Sequence, residues 1–96
     1  MPVGIQLEFL GGSEQQYDAI RQRADGETGG LPEGLVLHVS GPTENGWRVL
    51  AVWETREAFD AFASGALRRL TQEVGPIGMA SGPTVSEFAV HDVLIS

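Results

Sequence analysis

Ninety-six residues, with thirteen acidic against six basic side chains and a net charge of -7, make one domain over residues 1–96 with a single modest core. That balance argues against a nucleic-acid partner, which needs a basic stripe to displace counterions. The chain has no cysteine, which excludes disulfides, thiolate zinc sites, iron–sulfur clusters and a cysteine nucleophile. No apolar run reaches membrane-spanning length, and "MPVGIQLEFLGG" lacks the basic and long apolar regions of a secretory signal, so a cytoplasmic location with no membrane partner is expected.

"VGIQLEFL" alternates Val3, Ile5, Leu7 and Phe9 against Gly4, Gln6 and Glu8, the period of a strand with one buried face. In "SEQQYDAIRQRA", Ser13 followed by Gln16 is a capping box, and Tyr17, Ile20 and Ala24 recur at helical spacing. "DGETGGLPEG" reads as a loop and Leu35 to Gly41 as a second strand. Asn45-Gly46 predicts a type I′ hairpin into a third strand, Trp47 to Glu54. Thr55 caps a longer helix in which Phe59, Phe62, Ala66 and Leu70 share a face despite Gly65. A second glycine- and proline-rich loop, Gly75 to Thr84, is expected to be a mobile lid before a last strand, "VSEFAVHDVLI".

The order βαββαβ is the split βαβ arrangement called ferredoxin-like: an α+β fold with a four-stranded antiparallel sheet and two helices on one face. The other face needs a cover, and a second subunit is expected to supply it, giving a homodimer whose two sheets enclose a cavity.

A two-residue Asn45-Gly46 loop would pair Glu44 with Trp47 and set His38 opposite Trp53, whereas a three-residue loop would flip the parity and put His38 in the helix-side core. One face then holds Val36, His38, Ser40, Trp47, Val49, Ala51 and Trp53, the mixture of an apolar pocket with a few polar groups; the other holds Leu37, Val39, Leu50 and Val52, expected to be the helix-covered core. Gln6, Glu8, Ala89 and His91 join the pocket side by the same alternation.

"LVLHVSGPTENGWRVLAVWETREAFDAF" resembles the dimeric α/β-barrel superfamily near the antibiotic biosynthesis monooxygenase group, through His38, Gly41-Pro42, Gly46-Trp47-Arg48, Trp53-Glu54, Ala58-Phe59 and Phe62, with "EFAVHDVL" fitting as well. The resemblance implies cofactor-free chemistry on a small aromatic or polyketide-like molecule, with oxygenation first and cyclisation or isomerisation second. A non-catalytic ligand-binding or accessory dimer of the same fold is the alternative. Haem-degrading relatives carry an Asn on the first strand and a Trp and a His in the second helix region. Here the first strand has Gln6 and Glu8, Phe62 stands in place of the Trp, and that helix has no histidine, so haem chemistry is not implied.

His38 and His91, with ordinary pKa values near about 6.5, suit proton transfer or hydrogen bonding to a substrate oxygen. Trp53 offers a stacking surface, Trp47 a packing one, and Ser40, Ala51, Glu8 and Tyr17 complete the expected substrate contacts. His91-Asp92 is no dyad, because neighbours on a strand point to opposite faces. No histidine spacing suggests a metal, and no metal or cofactor is expected.

Overall fold

The computed structural model describes residues 2–28, 32–79 and 82–95, with the backbone alone in 25–28. Strand β1 (Val3–Leu10) is the pivot: Val3, Ile5, Leu7 and Phe9 are all buried on one face, as their alternation requires. Helix α1 (Glu14–Thr28) starts at the capping box, where Gln16 N donates to Ser13 Oγ and Ser13 N donates to Gln16 Oε1, each at 3.2 Å. It runs into what the sequence reads as the start of a loop.

Strands β2 (Leu35–Thr43) and β3 (Gly46–Trp53) form the hairpin. Helix α2 (Arg56–Phe62) is capped by Thr55, whose Oγ1 accepts from Ala58 N at 3.1 Å. A π turn (Ala63–Leu67) and α3 (Arg68–Val74) continue the same rod, since the backbone stays right-handed helical at Ala63 (φ -65°) and Arg68 (φ -60°). Strand β4 (Thr84–Ala89) closes a sheet of order β2-β3-β1-β4, antiparallel throughout. This is the expected ferredoxin-like α+β fold. Among the described residues no helix is long and apolar enough to cross a membrane.

The hairpin departs from expectation in register. Thr43 pairs with Gly46, so Glu44 and Asn45 are the central turn residues, and neither has positive φ. Gly46 is needed for approach rather than for a primed turn: a Cβ there would lie 2.1 Å from Phe9 O. The shift is two residues along β3, so His38 faces Ala51 instead of Trp53 and keeps its side of the hairpin.

A larger correction concerns which face is covered. Ile5 pairs with Ala51 and Leu7 with Val49, so the face carrying Trp47, Val49, Ala51, Trp53 and His38 is the one beneath the helices. Leu37, Val39, Leu50 and Val52 belong to the open face, where they lie beside Gly4 and Gln6. On β4 the same inversion puts Ala89 on the helix side and Phe88, whose ring fills the space over Gly4, on the open side. Both residue sets on β3 are apolar apart from Arg48, so alternation alone chose only weakly between them.

The expected lid is docked instead. Ile77 is 5% exposed within the core, Gly78 N donates to Gln16 Oε1 at 2.9 Å, and Met79 N donates to Leu10 O at 3.2 Å. Residues 80–81 lie outside the described residues.

Candidate functional site

Between the covered sheet face and the helices lies an apolar cavity of about 90 Å³. Its floor is Ile5, Leu7, Val49, Ala51 and Trp53, and α1, α2 and α3 roof it with Ile20, Phe59 and Leu70. This pocket lies within one chain, and it is lined by His38, Ala51 and Trp53, which the sequence reading had placed in a cavity between two sheets. The cause is the face inversion: once Ala51 shares a face with Ile5, the polar groups of β2 turn toward α1.

Three polar side chains line it, Tyr17 and Arg21 from α1 and His38 from β2, all half-buried at the rim. The rings of Tyr17 and His38 lie 6.1 Å apart and 16° from parallel, with Tyr17 Oη 3.5 Å from His38 Nε2, a long contact. Burial pushes the His38 pKa below the usual 6.5, and the Arg21 charge lowers it further. The imidazole is thus neutral at neutral pH, with a nitrogen lone pair able to accept a proton. When Tyr17 donates to Nε2, the ring proton sits on Nδ1.

A β-bulge shapes this rim. The register shifts between Leu35, paired with Trp53, and Leu37, paired with Val52, leaving Val36 as the extra residue. Strict alternation would put Leu35 and His38 on opposite faces; the bulge lets both line the cavity. Val36, expected beside His38, is instead 41% exposed.

Of the residues expected from sequence, His38, Tyr17, Ala51 and Trp53 come together here. Trp53 is 3% exposed and packs against Phe59 at 5.9 Å and Phe62 at 5.4 Å between ring centroids. Trp47 does not line the cavity; it is buried behind Tyr17, stacked at 5.1 Å, and its Nε1 has no hydrogen-bond partner among the described residues. Ser40 shares the covered face, opposite Val49, yet is exposed and lines a shallow groove with Pro42 outside the cavity.

Glu8 lies on the open face, paired with Arg48 and accepting from Gln6 Nε2 at 3.3 Å. His91 is exposed beyond the end of β4. The strand ladder ends with Ala89 opposite Val3, and beyond it Val90 N donates to Pro2 O at 3.0 Å. His91 thus stands apart from the pocket that His38 borders.

Sequence reasoning missed Arg21, Leu35 and Leu67 as lining residues. Arg21 was within reach of it, one turn after Tyr17 on the same helical face. Leu35 depends on the bulge, which alternation does not show, and Leu67, at the edge of the face by regular helical spacing, is turned further toward the cavity by the π turn. Among the described residues no group of three His, Asp or Glu side chains could hold a metal ion.

No protein-family model and no curated protein matches the sequence. Several solved structures do match in fold. A dimeric ferredoxin-like protein of unknown function from Jannaschia sp. is 20% identical, with 94% of this chain and 100% of that one covered and a TM-score of 0.62. SnoaB, a cofactor-independent oxygenase from Streptomyces nogalater, is 16% identical over 99% of this chain and 97% of its own, with a TM-score of 0.61. MhuD, a haem degrader from Mycobacterium tuberculosis, is 20% identical over 98% and 99%, with a TM-score of 0.57. The chain therefore has the ferredoxin-like fold that these proteins share.

Proposed function

We propose that the protein carries out cofactor-independent chemistry, oxygenation in the first instance, on a small aromatic molecule held between the sheet and helices of each subunit. The observation that carries this reading is the neutral, half-buried His38 at the mouth of an otherwise apolar cavity, beside Tyr17 and Arg21. In such an oxygenation the substrate is the reductant. His38 takes the proton of a phenol or activated C–H, the electron-rich carbon gives its electrons to molecular oxygen, one oxygen atom stays on that carbon as a carbonyl, and the other leaves as water with the proton held by His38 and the hydrogen the carbon loses. Trp53 provides the wall on which the ring rests, and Arg21 favours a developing oxyanion. SnoaB, of the same fold, is a cofactor-independent oxygenase, which supports this class of reaction. With an activated C–H and no oxygen, the same proton transfer would give cyclisation or isomerisation. His91 has no part in this scheme.

Haem does not suit the residues present. The cavity is about 90 Å³, and the helices roofing it bring no histidine to it.

The partner surface is part of the same reading. The open sheet face carries Leu37, Val52 and Phe88 in one cross-strand row and Val39 and Leu50 in the next, with Val39 50% and Phe88 54% exposed. A second copy would cover this face as a homodimer, and the Jannaschia protein of the same fold is dimeric. The dimer would act in the cytoplasm.

A small cavity favours the second reading, a non-catalytic binding protein, since drug-sized ligand sites usually span about 300–1,000 Å³. Oxygen uptake with a panel of phenols and hydroquinones separates the two. Consumption that His38→Ala abolishes supports catalysis; binding without turnover, unchanged by His38→Ala, supports the binding protein.

A further inference from the structure

Phe59, Phe62, Leu67 and Leu70 face the cavity, spaced by three, five and three residues. A regular α-helix would centre the face of Phe59 and Phe62 on Ala66 and Leu70, leaving Ala63 and Leu67 at its edge. The step of five is made by the π turn, which accommodates one extra residue and rotates everything beyond it. Ala66 accordingly turns into the neighbouring groove with Ala58 and Ala61.

Gly65 lies at the middle of this turn. Nothing lies within 4 Å of where its Cβ would be, and it does not have positive φ, so neither close packing nor backbone geometry demands a glycine there. It behaves as an inserted residue: without it, Phe59, Phe62, Leu67 and Leu70 would fall at steps of three, four and three on an unbroken α-helix.

The consequence is steric. The turn presents an isobutyl group to the cavity where a regular helix would centre a methyl. We infer that Leu67, turned further toward the cavity by the π turn, sets the size of the molecule this pocket admits, restricting it to a single aromatic ring. An apolar cavity of about 150 Å³ accepts benzene. This one, about 90 Å³ and open at its rim, leaves room for one ring at most, its oxygen at the Tyr17, Arg21 and His38 mouth, and fused rings would meet Leu67.

This inference rests on the cavity being a ligand site, and the test keeps the two apart. Calorimetric titration with phenol and with 1-naphthol would compare the parent chain, Leu67→Ala, Ala66→Val and a Gly65 deletion. The parent should bind phenol and discriminate against 1-naphthol. Leu67→Ala should gain about tenfold or more for 1-naphthol, the scale of a small volume change in an apolar pocket. Ala66→Val and the deletion should keep the parental preference. Should Leu67→Ala fail to fold, Leu67→Val should shift the preference the same way by a smaller factor. Parental selectivity in both Leu67 variants, with phenol still bound, overturns the size assignment and leaves the pocket standing. A changed selectivity in Ala66→Val places that residue on the cavity and also overturns it. No binding of either compound by any variant removes the ligand site, and the inference with it.

Discussion

The two faces of the sheet use similar residues to different ends. On the covered face Ile5 and Trp53 are 1% and 3% exposed; on the open face Val39 and Phe88 are 50% and 54% exposed. Both are apolar, but only the covered face meets helices, and the helices bring Tyr17 and Arg21 to His38. The difference teaches where each task lies. The face that buries itself within the chain makes the pocket, and the face left bare is suited to a second copy.

The largest effect should come from the covered face. Trp53→Ala removes an indole packed against Phe59 and Phe62, and should cost about 3–5 kcal/mol in urea unfolding. On the open face, Val39→Asp combined with Phe88→Asp should convert a dimer to a monomer in sedimentation. Together the two changes should lower the unfolding free energy by about 1–2 kcal/mol, less than Trp53→Ala, because Val39 and Phe88 are only half covered within the chain, Phe88 by its contact over Gly4. If instead the double variant unfolds, the two faces are not divided in this way.

Smaller effects sharpen the contrast. Ser13→Ala, which removes the α1 cap above the covered face, should cost about 1 kcal/mol. The lowered His38 pKa means that the unfolded chain binds this proton more readily than the folded one. Stability should therefore fall as pH drops from 6.5 toward the lower folded value, then level off with respect to this group, and His38→Gln should flatten that slope in pH-dependent melting. Arg48→Ala breaks the pair with Glu8 on the open face, where both side chains are partly exposed, and should change unfolding by about 0–1 kcal/mol.

β1 shows why much of the fold was legible in the sequence. Its Val, Ile, Leu and Phe alternate with Gly, Gln and Glu, a contrast that names the buried face. The Ser13 and Thr55 caps were equally plain. β3 offers a weaker contrast: Trp47, Val49, Ala51 and Trp53 face one way, Arg48, Leu50 and Val52 the other, and pairing with β1 decides between them. Hence Val49, Ala51 and Trp53 were rightly grouped with His38, Gln6 and Glu8 wrongly so, and the group was placed on the wrong side. The bulge at Val36 and the π turn each add one residue without a change of composition. The single-residue steps they introduce determine whether Leu35 reaches the pocket and how far Leu67 turns toward it. Gly65 was a visible sign of the second, read only as a weak point in a helix.

The central claim is that the ligand pocket lies beneath the helices of each chain. Xenon-pressurised crystals test it directly, because xenon enters dry apolar cavities. The account predicts a xenon atom in contact with Ile5, Trp53 and Phe59 in every subunit. Xenon found only against Val39, Leu50 or Phe88 on the open sheet face, with the space under the helices empty, would contradict it.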